Sequence, residues 1–148
     1  MINCKLSEAL AVLGAINPSQ QAAGSLTTGW ISMANAERVL ALIQVGTFGA
    51  SATVDANIQQ AQDTTGTGAK AITGKAITTL AAAGGNNVQA SIDLRAEELD
   101  AANGYCAVEL TITVGTAASE TAGLVLAGGT RFVPASAFNA ASVVQQVG

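Results

Sequence analysis

Apolar and polar residues alternate most regularly between Val88 and Val114. Val88, Ala90, Ile92 and Leu94 are separated by single polar residues, and Cys106, Val108, Leu110, Ile112 and Val114 alternate with Ala107, Glu109, Thr111 and Thr113. A period of two is that of a half-buried strand, so two strands are predicted with both apolar sets in the core. Between them Arg95–Tyr105 carries Glu97, Glu98 and Asp100, and Asn103-Gly104 favours the positive φ angles of a tight reversal. The simplest arrangement is an antiparallel hairpin with a charged, projecting tip.

The rest of the chain is read in the same way. Leu6, Ala9, Leu10 and Leu13 recur at helical spacing over Lys5–Ala15 until Asn17-Pro18, which predicts one short amphipathic helix that packs on the core or docks on a neighbouring subunit. Leu26–Met33, with Trp30 beside Gly29, reads as a strand with a local irregularity, and Trp30 as a core or subunit-interface anchor. The continuous apolar run Val39–Val45 predicts a central strand buried on both faces. Ala52–Ala61 alternates again and predicts a strand with its polar set in water. Asp63–Gly68 is a polar loop whose Gly-x-Gly lacks the Lys-Ser or Lys-Thr and the strand-then-helix setting of a phosphate cradle, so it reads as a turn. Ile72–Leu80 is one more apolar segment, Gly123–Ala127 a short strand after a turn at Ala117–Thr121, and Val143–Val147 a terminal strand. Seven or eight short strands with one peripheral helix predict a mainly β fold, an antiparallel sandwich or barrel. Residues 1–26 are expected to form a helical arm and connector, and residues 27–148 a single β-domain.

Composition sharpens this picture. At 148 residues the chain is long enough to bury roughly 70% of its unfolded surface without staples. Only 11% of residues are charged, so the surface must be largely Thr, Ser, Asn, Gln and small residues. That suits a subunit partly covered by neighbours better than a free enzyme, whose surface is about a quarter charged or more. The six Lys and Arg are scattered singly and the net charge is −4, which argues against direct nucleic-acid binding. No run of 18 apolar residues and no signal-peptide pattern is present, so no membrane partner and a cytoplasmic site of synthesis are expected.

Candidate chemistry is sparse. The chain has no His, which removes a His-containing zinc site and a Cys-His or Ser-His nucleophile. The clustered carboxylates Glu97, Glu98 and Asp100 suggest at most an oxygen-ligand cation site or, with Arg95, ion pairing; no metal, cofactor or catalytic residue is expected. Cys106 is placed in the core as a small hydrophobe, and Cys4 near the N-terminus, with an interchain disulfide through these two cysteines as an alternative. A carbohydrate-binding module would need exposed aromatic platforms, and one Trp, one Tyr and three Phe leave few.

As an ordered series, several segments resemble small virion structural proteins of tailed bacteriophages. They are Gly29-Trp30-Ile31-Ser32-Met33, Val45-Gly46-Thr47-Phe48-Gly49-Ala50, Ala52–Ala56 with Gln59-Gln60-Ala61 and Asp63, Gly74–Thr78, Arg95–Asp100, Thr113-Val114-Gly115 and Ala141–Gln145. The resemblance spans residues 27–148. It implies a structural role in the virion, assembled in the host bacterial cytoplasm. The first expectation is a capsid decoration or cement protein bound to the major capsid protein; a neck, collar or head-to-tail ring component is the alternative, and a non-virion binding module a third reading. Self-association into a symmetric homo-oligomer is expected in either virion role. The candidate contact residues are Arg95, Glu97, Glu98 and Asp100 of the tip, Trp30, and Leu6, Leu10 and Leu13 of the N-terminal helix.

Overall fold

In the computed structural model, which describes residues 3–147, one short helix and ten strands are assigned among the described residues. The helix α1 is Leu6–Ala9. The strands are β1 (Leu10–Gln21), β2 (Gly24–Thr27), β3 (Ile31–Ser32), β4 (Ala36–Val45), β5 (Thr53–Ala61), β6 (Lys70–Ala76), β7 (Leu80–Ala81), β8 (Val88–Arg95), β9 (Ala107–Gly115) and β10 (Ser119–Thr130). They form two antiparallel sheets packed as a sandwich. One has the order β1–β10–β4–β8; the other has β2–β9–β5–β6, with β3 against β9 and β7 against β5. Ile43 of β4, Ile58 of β5, Leu94 of β8 and Leu110 and Ile112 of β9 are fully buried between the sheets.

The expected hairpin does not form. β8 pairs with β4 in one sheet and β9 with β5 in the other, so Arg95–Tyr105 is a crossover between the layers. Both strands do send their apolar sets into the shared core, and alternation alone carries no information on which sheet a strand joins. Leu99 of the crossover is buried in that core. Cys106 lies one residue before β9 and is exposed, contrary to its expected burial.

The N-terminal helix is shorter than expected. Leu10–Gln21 forms an edge strand along β10, with Ala11 and Ile16 in the core. The register shifts between Val12 and Gly14. This bulge breaks the period of two, which is how Leu6, Leu10 and Leu13 came to mimic helical spacing. Pro18 falls at a second shift, between Ile16 and Ser19, where an edge strand tolerates the loss of an N–H. β2 joins the other sheet through β9. The sandwich therefore begins at residue 10 rather than 27, and residues 10–26 are not an arm.

Two other expectations change. β4 is an interior strand as predicted, but it alternates: Val39, Ala41, Ile43 and Val45 are buried while Leu40 and Leu42 face outward. Val143–Val147 forms no strand; after β10 the chain makes a 3-10 turn at Ala135–Phe138, and the Ala140 N–H bonds the Val12 carbonyl of β1 at 2.7 Å.

Candidate interaction surface

The two outer faces of the sandwich differ in chemistry. Residues paired across antiparallel strands share a face. On the six-stranded sheet the outward rows are Thr53 with Gly115, Asp55 with Thr113 and Ser25, Asn57 with Thr111 and Thr27, and Gln59 with Glu109. This face is mainly polar, with Ala71, Ala76 and Ala81 as apolar partners at its margin, and is internally bonded in places, as in the 2.9 Å contact of the Ser25 and Thr113 hydroxyls and the hydrogen bond from Thr79 to Asp55. Partial burial pushes the Glu109 carboxyl up, offset in part by a hydrogen bond from Thr27.

On the four-stranded sheet the outward rows are apolar across β1, β10 and β4 and end on β8 in the polar residues Asp93 and Ser91. Val12, Leu126 and Leu40 form one row, and Ala15, Leu124 and Leu42 the next. Leu40 and Leu42 are 36% and 37% exposed. The band has a polar rim: Gln20, Glu120, Gln44 and Gln89 beyond one end, and Arg38 paired across strands with Arg95 beyond the other. An apolar centre inside a polar rim is the anatomy of a protein interface. Sequence reasoning missed this surface because the run Val39–Val45 was read as doubly buried. The available signal was the same run, since an outward Leu at every second position leaves apolar surface that the described residues cover only in part.

The expected contact residues are spread over the molecule. Glu98 and Asp100 are turned into ion pairs with β6: Lys75 lies 2.8 Å from Glu98 and Lys70 2.5 Å from Asp100, with the Lys70 ammonium 4.1 Å from the centre of the Tyr105 ring. Lys75 holds the Glu98 carboxyl below its usual range, aided by the Arg95 N–H; Lys70 and then Asn103 do the same for Asp100, and Asp100 raises Lys70. The buried amide of Gln60 accepts the Asp100 N–H at 2.8 Å. The crossover is thus fastened to β5 and β6 instead of projecting, and of the four tip residues only Arg95 and Glu97, 3.2 Å apart, keep mainly exposed side chains. Trp30 is half-buried and packs on the Asp63–Gly68 turn, where a Cβ at Gly66 would fall 2.5 Å from its Nε1. That turn is an Asx turn: the Thr65 and Thr67 N–H groups bond the Asp63 carboxylate, and the hydroxyls of Thr67 and Thr65 help hold this acid far below the usual range. Leu6 is exposed, Leu10 and Leu13 are half-buried on or beside β1, and Cys4 and Cys106 are both free and exposed. No group of His, Cys, Asp and Glu suited to a metal occurs among the described residues.

No family model and no curated protein matches the chain. Solved structures are similar in part. A structure of the infectious bursal disease virus Gt strain aligns at 10% identity and a TM-score of 0.43, over 86% of this chain and 35% of that one. The crystal structure of the infectious bursal disease virus VP2 subviral particle aligns at 14% and 0.45, over 81% and 32%. The disulfide-linked pili of Bacillus endospore appendages align at 16% and 0.37, over 86% and 97%. The chain spans about a third of the length of the two viral chains it resembles. With TM-scores below 0.5, these likenesses carry nothing about what this chain does.

Proposed function

We propose that this chain is a structural subunit of a tailed-phage virion, a capsid decoration protein that seats the outer face of the β1–β10–β4–β8 sheet on the shell. The observation that carries the reading is the contrast between the two faces. An apolar band of Val12, Leu40, Leu42, Leu124 and Leu126 is turned to one side, and a hydrogen-bonded polar face to the other. Such a subunit has a side to cover and a side to leave in water. The residue series resembling small phage virion proteins supports the setting. Four strands at ~4.8 Å spacing and about eight residues of length give a face on the order of 500 Å². That is below the ~800 Å² per partner of a standard interface, so a single contact is weak and repetition over a symmetric shell supplies the avidity.

Mass spectrometry of purified particles tests the reading. On the order of hundreds of copies per particle is the expected result. About six or twelve copies would place the chain in a neck ring instead, and absence from the particle would overturn the virion role.

A further inference from the structure

The chain writes a strand that its own fold does not use. Val143-Val144-Gln145-Gln146-Val147 is uncharged and rich in β-branched residues, yet it pairs with no strand, and Val144 and Val147 are 92% and 85% exposed. At the opposite side of the molecule β8 is the last strand of its sheet. The Lys75 ammonium bonds the Asp93 carbonyl at 2.7 Å, and the Glu98 carboxylate takes the Arg95 N–H at 2.8 Å, so these main-chain groups point away from β4. Successive residues of a strand alternate the side to which their N–H and C=O point. Gln89 and Ser91 therefore also turn theirs to the free edge, and neither has a main-chain partner there among the described residues. The edge is plugged at Asp93 and Arg95 by the Lys75–Glu98 pair and at the Asn87 carbonyl by the Gln89 side chain, which leaves about five residues open, the length of the unused strand. Core-facing Val88 and Ala90 remain half-buried beside this gap, whereas Ile92 and Leu94 behind the plug are buried.

We infer that residues 143–147 of one copy add as a strand to the open edge of β8, Val88–Ile92, in a second copy. The chain's own tail is excluded as occupant by reach. Ala140 is tied to Val12 of β1, and the slot beyond β8 lies four strand spacings from β1, roughly 19 Å. The three residues from Ala140 to Val143 extend to at most about 10 Å. Donor and acceptor are different surfaces, so the contact is head-to-tail and generates a ring or a chain of copies. This inference concerns copies in solution and does not depend on the shell reading.

Sedimentation of the purified full chain over a concentration series is the test, with two variants. One lacks residues 142–148; the other is Ser91→Pro, which removes an edge-facing N–H and leaves the ladder to β4 intact. Wild type is expected to associate, each variant alone to stay monomeric, and an equimolar mixture of the two to form a heterodimer and nothing larger. Val144→Asp with Val147→Asp, on the exposed tail, is expected to behave as the deletion, which keeps the test valid should Ser91→Pro not fold. A monomeric wild type, a tail variant that associates as wild type does, or a mixture of folded variants that remains monomeric would overturn the inference. Association through the apolar sheet face would survive tail deletion and counts among the overturning results.

Discussion

Replacing Leu40 and Leu42 together with threonine tests the apolar band most directly, because threonine is a good strand former and removes apolar surface from β4. Full burial of a leucine stabilises by about 1.5–3 kcal/mol. Leu40 and Leu42 retain 36% and 37% of their surface in the free subunit, so docking has about 0.5–1 kcal/mol per residue still to gain. For the pair that is about 1–2 kcal/mol, or about 5–30-fold in the affinity of each copy. The part already buried adds a separate cost to folding of at most about 1–2 kcal/mol per residue. Two measurements keep these apart: thermal unfolding of the isolated variant, and occupancy after it is added to particles that lack the protein. A control, Asn57→Ala with Thr113→Ala on the polar face, is expected to leave occupancy unchanged. Unchanged occupancy by a folded Leu40/Leu42 variant, or an equal drop in the control, would refute the assignment of the docking face.

Reversing the charges of Glu98 and Asp100 to lysine is expected to lower the unfolding temperature, since each would then face Lys75 or Lys70; an unchanged melting curve would show that the crossover is not held by these pairs. Because the folded-state pKa values of Glu98 and Asp100 are depressed, their contribution is present above the unfolded value near 4 and is lost as pH falls through the folded values, so stability should decline in acid below about pH 4, less steeply in Glu98→Gln/Asp100→Asn. Gly66→Ala combines φ +89° with a Cβ 2.5 Å from the Trp30 indole nitrogen, and is expected to cost about 1–3 kcal/mol and shift Trp30 fluorescence; a wild-type spectrum and midpoint would refute the contact. Cys4 and Cys106 are both exposed, so a thiol reagent should titrate two groups per native reduced chain, and fewer than two would contradict their placement.

Much of the strand content was legible because a half-buried strand leaves a period of two in the sequence. β5 and β9 and the inward sets of β8 follow it residue by residue, and the Asp63–Gly68 turn follows from local side-chain bonding. Failures came where local geometry broke the period or where a distant element determined the outcome. A bulge between Val12 and Gly14 turned an edge strand into an apparent helix, and Val143–Val147 kept its strand pattern without pairing with any described strand. The acidic tip looked free because Lys70 and Lys75, far away in sequence, become its partners only when β6 lies beside the crossover.

By itself the sequence determined that this is a strand-built, charge-poor chain without histidine chemistry, since composition and period are properties of the residues alone. Only the tertiary structure decided that β8 and β9 lie in opposite sheets, that the outward leucines of β4 and β10 stand side by side, and that the acidic crossover is tied down. Strand partners are chosen by packing two layers around one core, and no local pattern of residues encodes that choice.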